Sequence, residues 1–184
     1  RTGRGLCHGS NQYTLSLARE VRSGTDLCHL PLRRTDHPHD SAGIMTYYLS
    51  LGANIGEREQ TLRQGLQMLE QQVGIVRRCS SFFYSTPWGF ASDNEFCNLC
   101  CAVETEQTPF EVLAHTQAIE RALGRTRKSI EGGYHDRTID IDLIRVFEDD
   151  AREVIMDTEE LTLPHRFWQE RDFVKLPLRE IMPQ

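Results

Sequence analysis

No stretch of the chain approaches the roughly 18 consecutive apolar residues of a membrane-spanning helix. The shorter apolar run of a secretory signal, about 7–15 residues, is missing as well. Composition is ordinary, 39% apolar and 26% charged over 184 residues, which excludes collagen-like, coiled-coil and wholly disordered classes. An excess of basic charge is also lacking. The formal net charge is −6, which argues against a nucleic-acid binder that works through a broad basic face. The six cysteines show no ligand spacing typical of zinc. Cys97, Cys100 and Cys101 fall on an extended segment where they would not converge, so they are expected as small apolar residues in a reducing cytoplasm. Finally, Gly52-Ala-Asn-Ile-Gly56-Glu-Arg lacks the Gly-Lys-Ser/Thr ending of a phosphate-binding loop. Any nucleotide must therefore be gripped by side chains.

The charge that is present is unevenly spread. Residues 1–44 hold six Arg against four acidic residues, a net of +2, whereas residues 45–184 carry a net of −8. The first segment is rich in Gly, Pro, Ser and Arg and has no sustained periodicity. It is expected to be a leader, added by cloning or disordered, with no function of its own. Residues 45–184 are expected to form the one folded domain.

Within that domain Tyr47–Leu51 is a short aromatic-rich strand. Leu62, Leu66, Leu69 and Val73 recur at helical spacing, with Gly74 just beyond as a stop. Ile75–Tyr84 reads as a second strand and Leu99–Val103 as a third. Thr108-Pro-Phe-Glu111 is a capping box with Pro at the first helical position, and its helix is expected to run to about Leu123. Thr138–Phe147 alternates as a fourth strand, and an apolar run, Phe173–Leu178, lies in the tail. The order β-α-β-β-α-β predicts an α+β, ferredoxin-like sandwich: an antiparallel sheet with both helices on one face.

The most informative stretch is Arg137-Thr-Ile-Asp140-Ile-Asp142-Leu-Ile. On a strand, Asp140 and Asp142 share a face about 7 Å apart, with Ile139, Ile141 and Leu143 turned into the core. Two like charges side by side suit a hard cation such as Mg²⁺ with phosphate co-ligands; the alternative is a solvated pair on an exposed face. Arg121, Arg125, Arg127, Lys128 and Arg137 form the one dense basic cluster, as a polyphosphate requires. Some of these cations would also complement a helix C-terminus. Gln117 and Glu120 share a helix face and either read a nucleotide edge or are solvated. Phe96 and Asn98 share a strand face, combining a stacking ring with an amide, which suits a flat heterocycle; the alternative is a loop anchored by its own aromatics.

Taken together, these motifs resemble the 6-hydroxymethyl-7,8-dihydropterin pyrophosphokinases of folate biosynthesis over Tyr48–Pro183. The resemblance rests on Leu51-Gly-Ala-Asn54-Ile-Gly, Ser80-Ser-Phe-Phe-Tyr84-Ser-Thr-Pro87, Phe96-Cys-Asn98, Gln117-Ala-Ile-Glu120 and Gly124-Arg-Thr-Arg127. It continues in Arg137-Thr-Ile-Asp-Ile-Asp142, Leu161-Thr-Leu-Pro-His165 and Arg171-Asp-Phe173. It implies transfer of the β,γ-diphosphate of ATP to the pterin hydroxymethyl group, leaving AMP. It further implies two Mg²⁺ ions on Asp140 and Asp142, with Arg127 and Arg137 beside them in catalysis. Gln117, Glu120, Arg125, Arg127, Arg137, Thr162, His165 and Arg171 match positions that grip ATP. Thr86, Pro87, Phe96, Asn98 and Phe173 match the pterin pocket, with Phe96 and Phe173 sandwiching the ring.

The sequence departs from the family pattern in the expected lid, residues 128–136. There Glu131-Gly-Gly-Tyr134-His-Asp-Arg137 puts Tyr134 at the aromatic position and Gly133 at a basic one. Arg166 and Phe167 also replace the residue type common after His165. The partners implied are small molecules, with no nucleic acid and no membrane, and the state a monomer or weak dimer in the cytoplasm. Two other readings stay open. One is another two-metal phosphotransferase on a ferredoxin-like sheet. The other is a non-catalytic binding module that stacks ligands on Phe82, Phe83 and Tyr84.

Overall fold

The computed structural model describes residues 43–88, 93–124 and 138–183, all within the compact unit Pro31–Gln184. Strand β1 (Met45–Ala53) leads into helix α1 (Arg58–Gln72), followed by β2 (Ile75–Cys79), β3 (Phe83–Ser85) and β4 (Phe96–Thr105). Helix α2 (Pro109–Ala122), β5 (Asp140–Glu148), the small strands β6 (Met156–Asp157) and β7 (Thr162–Leu163), and helix α3 (Asp172–Ile181) complete it. The main sheet runs β2-β4-β1-β5, with β3 also on β4, and every pairing is antiparallel. This is the expected ferredoxin-like order with the two chain-remote strands, β4 and β1, at the centre.

Local chemistry sets the boundaries. Gly74 ends α1 against the sheet: a Cβ there would lie 2.2 Å from the Glu104 carbonyl oxygen, so no other residue allows that approach. The capping box at α2 forms as expected. The Thr108 N–H donates to Glu111 Oε2 at 2.7 Å and the Glu111 N–H to Thr108 Oγ1 at 3.4 Å. The Thr108 N–H and the Thr108 hydroxyl, which donates to Glu111 Oε2 at 2.8 Å, hold the exposed Glu111 carboxyl below its ordinary range.

Alternation along the strands divides the interior into two layers. Tyr47, Leu49, Leu51, Leu99, Cys101, Val103, Ile139, Ile141 and Leu143 pack with Leu62, Leu69, Val112 and Ile119 beneath α1 and α2. On the opposite face, Tyr48, Cys100, Ala102 and Ile144 pack with Val174, Leu178 and Ile181 of α3.

One expectation needs correcting. The segment expected as one strand, Ile75–Tyr84, is two. Cys79 pairs with Cys101 and Phe83 with Asn98, so the chain spends one residue more than β4 does. The extra residue turns the Ser81 N–H out of the ladder, where it donates to Glu180 Oε2 of α3 at 2.8 Å. The tail adds a helix that the sequence leaves unassigned. Phe173–Leu178 belongs to a third helix, α3, on the face opposite α1 and α2, so the sandwich has three layers. Pro177 sits inside that helix and masks it in the sequence. Burial of Val174, Pro177, Leu178 and Ile181 on one stripe outweighs the missing backbone donor.

Among the described residues the cysteines behave as small apolar residues. Cys97, Cys100 and Cys101 are buried, Cys97 and Cys101 on one face and Cys100 on the other. Burial raises the Cys97 thiol to about 11 and Cys100 to about 12.

Candidate active site

The face covered by α3 changes character along each strand. In β1 it reads Tyr48, Ser50, Gly52; in β4, Ala102, Cys100, Asn98, Phe96; in β5, Ile144, Asp142, Asp140. Register brings the polar ends together: Ser50 lies opposite Asp142 and Cys100, and Gly52 opposite Asp140 and Asn98. A cavity stands over this patch, lined by Ser50, Gly52, Ser85, Thr86, Trp88, Phe96, Asn98, Asp140, Asp142, Arg171 and Phe173. Four strands and the N-terminus of α3 thus contribute to one pocket.

Its floor depends on the absence of a side chain. A Cβ on Gly52 would meet Asn98 Oδ1 at 2.9 Å, so glycine is what lets the Asn98 amide lie across β1. That amide is buried, and its Nδ2 donates to Phe83 O at 3.2 Å and to Ser85 Oγ at 3.0 Å. These two bonds clamp β3 to β4 and fix the amide at the bottom of the pocket.

A second cavity opens on the outer side of β5, lined by residues that include Asp142, Thr162, His165, Arg166 and Phe167. Asp142 belongs to both cavities, whereas Asp140 lines only the first. The outer edge of β5 is tied down along its length. The Ile141 N–H, between the two aspartates, donates to Glu120 Oε1 of α2 at 2.7 Å. The His165 N–H donates to Ile144 O, and the Val154 N–H to Val146 O, each at 2.9 Å. The Leu163–Pro164 peptide bond just before His165 is cis.

Electrostatics links the two cavities. Burial, and then the nearby Arg171 guanidinium, lower the His165 imidazole below its ordinary value, while Asp140 pulls it the other way. Arg171 is itself 6% exposed. Its guanidinium carbon lies 4.5 Å from the ring centre of Trp88.

The residues singled out from the sequence therefore fall into four groups. Thr86, Phe96, Asn98, Asp140, Asp142, Arg171 and Phe173 meet in the first cavity, and Asp142, Thr162 and His165 in the second. Pro87 separates Thr86 from Trp88 without itself lining the pocket. On α2, Gln117 is half-buried and lines neither cavity, while Glu120 is buried rather than solvated. Arg125, Arg127, Arg137, Lys128, Gly133, Tyr134 and the rest of the expected lid lie outside the described residues, as do residues 1–42 of the leader.

Sequence reasoning missed Ser50, Gly52, Ser85, Trp88 and Phe167. The break in the apolar alternation of β1 at Ser50 and Gly52 was the available signal for two of them. Trp88 carried a second, as an indole on a loop between Pro87 and Gly89.

The donor set on this face is oxygen only: two carboxylates side by side on β5 and a serine hydroxyl opposite one of them. Mg²⁺ is bound typically by one or two carboxylates, with the rest of its octahedron from water and phosphate. The residues fit such an ion recruited together with a polyphosphate. They fit a closed protein-only site less well, and among the described residues no group of three His, Cys, Asp or Glu converges as metal ligands.

Fold and site together define a class: a ferredoxin-like α+β domain that places two carboxylates between an aromatic-lined pocket and a second cavity. A solved structure, "HPPK-DHPS in complex with substrates", has the same fold at a TM-score of 0.56 and 15% identity, covering 76% of this chain and 40% of that one. Residues 48–183 match the family model of 7,8-dihydro-6-hydroxymethylpterin-pyrophosphokinase. Curated relatives agree. A 2-amino-4-hydroxy-6-hydroxymethyldihydropteridine pyrophosphokinase of Porphyromonas gingivalis is 45% identical over 139 residues, 74% of this chain and 90% of that protein. The Bacillus subtilis protein of the same name is 38% identical over 138 residues, 74% of this chain and 78% of its own length. In Schizosaccharomyces pombe the folic acid synthesis protein fol1 is 33% identical over 153 residues, 83% of this chain and 20% of that protein. The chain belongs to the 7,8-dihydro-6-hydroxymethylpterin-pyrophosphokinase family. It is a pyrophosphokinase of folate synthesis, with ATP as co-substrate and hydroxymethyldihydropterin as acceptor.

Proposed function

We propose that the pocket over the polar half of the sheet takes the pterin, that the cavity outside β5 takes ATP, and that Asp142 stands where they meet. The observation that carries this reading is the shared position of Asp142, which lines both cavities. In the pterin pocket, Phe96 and Phe173 flank the flat ring and exclude water from it. Asn98, held by β3, and Thr86 supply polar contacts at its edge. Thr162 and His165 in the second cavity bind ATP, joined by Arg171 from the wall of the first and by Gln117, Glu120, Arg125, Arg127 and Arg137.

The hydroxymethyl oxygen attacks the β-phosphorus of ATP, the bond from that phosphorus to the α-phosphate bridging oxygen breaks, and AMP departs. Asp140, on the pterin side of the pair, receives the hydroxymethyl proton. Asp140 and Asp142 would hold two Mg²⁺ ions, which neutralise phosphate charge when bound. Arg127 and Arg137 offset the negative charge that builds up on the leaving oxygen. Little covalent work falls to the protein, so positioning and electrostatic stabilisation supply the acceleration.

The domain that does this is residues 45–184, with residues 1–44 contributing nothing. It acts in the cytoplasm as a monomer or weak dimer, without nucleic acid or membrane. The test is to incubate the full chain and residues 45–184 with ATP, Mg²⁺ and 6-hydroxymethyl-7,8-dihydropterin. Pterin-dependent AMP at equal rates from both is expected. ADP as product, or turnover indifferent to pterin, overturns the assignment; activity from the full chain alone overturns the domain boundary.

A further inference from the structure

Both ends of the connection from β3 to β4 wall the pocket assigned to pterin, Ser85 and Thr86 at one foot and Phe96 at the other. The two feet meet in register, Ser85 opposite Phe96 and Tyr84 opposite Cys97. Strand alternation turns Tyr84 and Cys97 to the other side of the sheet, where Cys97 is buried in the layer beneath α1. From that side the first turn of α1 reaches both feet. Arg58 Nη1 donates to the Glu95 carbonyl oxygen, one residue before Phe96, and lies 3.6 Å from Glu95 Oε2. The same guanidinium has its carbon 5.5 Å from the ring centre of Tyr84. Beside it, Glu59 Oε1 accepts a hydrogen bond from the Tyr84 hydroxyl. That bond raises the Tyr84 phenol to about 12 and lowers the Glu59 carboxyl.

Neither capping nor core filling accounts for these contacts. Glu57, which precedes α1, makes no side-chain cap, and Tyr84 is 45% exposed. Arg58 and Glu59 line neither cavity. A guanidinium can offer its face to a ring and its edge to a carbonyl at once, which an ammonium cannot. On the pocket side the Asn98 amide already ties β3 to β4 through Phe83 and Ser85. The three-residue strand is therefore held from both faces.

We propose that Arg58, Glu59 and Tyr84 are positioning residues for the pterin: from behind the sheet they hold the two feet of the β3–β4 connection, and so set the gap between Thr86 and Phe96 that grips the acceptor. The inference rests on the reading of that pocket as the pterin site. Walls ordered in advance lower the cost of binding the acceptor and leave the nucleotide contacts alone.

Steady-state AMP formation, with each substrate varied in turn, tests this. Tyr84→Phe and Glu59→Ala break the same bond. Each of them, and the double variant alike, should raise the KM for 6-hydroxymethyl-7,8-dihydropterin about three- to tenfold, the scale of one hydrogen bond. The KM for ATP and kcat should stay close to native. Arg58→Met loses both of its contacts and should do at least as much, with Arg58→Lys recovering only part. Glu59→Gln keeps an oxygen for the Tyr84 hydroxyl and should restore most of the pterin affinity. Melting temperatures should barely move, because exposed ion pairs add little stability. Should Arg58→Met fail to fold, Tyr84→Phe, which removes a single oxygen, gives the answer.

A native pterin KM in Arg58→Met and Tyr84→Phe overturns the proposal. So does a rise in the KM for ATP as large as that for pterin, or effects of Glu59→Ala and Tyr84→Phe that multiply in the double variant. Phe96→Ala separates the clamp from the reading beneath it. If that variant keeps a native pterin KM, the pocket assignment itself falls. If it raises that KM while Arg58→Met and Tyr84→Phe do not, only the clamp falls.

Discussion

The two halves of the sheet face beneath α3 are built on the same strands, one register step apart, and have opposite chemistry. In one half Tyr48, Cys100, Ala102 and Ile144 pack against Val174, Leu178 and Ile181. In the other, Ser50, Gly52, Asn98, Asp142 and Asp140 form the floor of an open pocket. Secondary structure is identical across the boundary, so the difference lies in where α3 stops covering the sheet. The α3 N-terminus, with Arg171 and Phe173, becomes a pocket wall. The lesson is that one face can serve as core and as binding site, provided the residue types switch where the cover ends.

Several substitutions break or sharpen this contrast. The largest effect is expected from Asp142→Ala, in the polar half. Turnover should fall by about 10²–10³-fold, the scale for losing one group that stabilises developing charge, with the melting temperature nearly unchanged. Steady-state AMP formation and thermal melting check it, and near-normal turnover would remove Asp142 from the site. In the apolar half the reverse is expected. Leu178, 1% exposed, truncated to alanine should destabilise the fold by about 2–5 kcal/mol in urea titrations, while kcat per folded molecule stays close to native.

Gly52→Ala sits on the boundary and should do some of each. The new methyl, 2.9 Å from Asn98 Oδ1, should cost about 1–3 kcal/mol of stability and raise the KM for pterin more than that for ATP. Equal changes in both KM values would show that Asn98 does not shape the acceptor pocket.

The smallest effect is a pH dependence. The His165 pKa is lowered in the folded protein, first by burial and then by Arg171, so the unfolded chain binds that proton more tightly. Its contribution is intact above an ordinary imidazole value of about 6.5 and is lost as pH falls below it. His165→Gln should flatten that part of the stability–pH curve, and a curve unaltered by the substitution would contradict the burial argument.

Much of the fold was legible because it rests on local signals. The α1 periodicity, the Thr108–Glu111 box, and the alternation of β5 each specify an element through neighbours a few residues away. The site was partly legible for the same reason: Asp140 and Asp142 are two apart on a strand, which fixes their common face before any packing is known. What escaped was long-range. The break between β2 and β3 follows from a hydrogen bond of the Ser81 N–H to Glu180, 99 residues on. Helix α3 was hidden by Pro177, a residue that only burial against the sheet makes tolerable. Glu120 gives no sign in the sequence that its carboxylate ends on the Ile141 N–H, because that contact joins α2 to β5 across a separation of 21 residues.

The sequence by itself determined the β-α-β-β-α-β order of the main sheet and its two inner helices, the pairing of carboxylates on one strand face, and the residue types that define the family. These follow from periodicity, capping and motif, which act over a few residues. Only the tertiary structure decided that Asp142 is shared by two cavities, that glycine at position 52 makes room for Asn98, and that Trp88 lies against Arg171. Those facts depend on strand register and on the placement of α3. They arise when segments far apart in the chain are held together, and no window of sequence contains them.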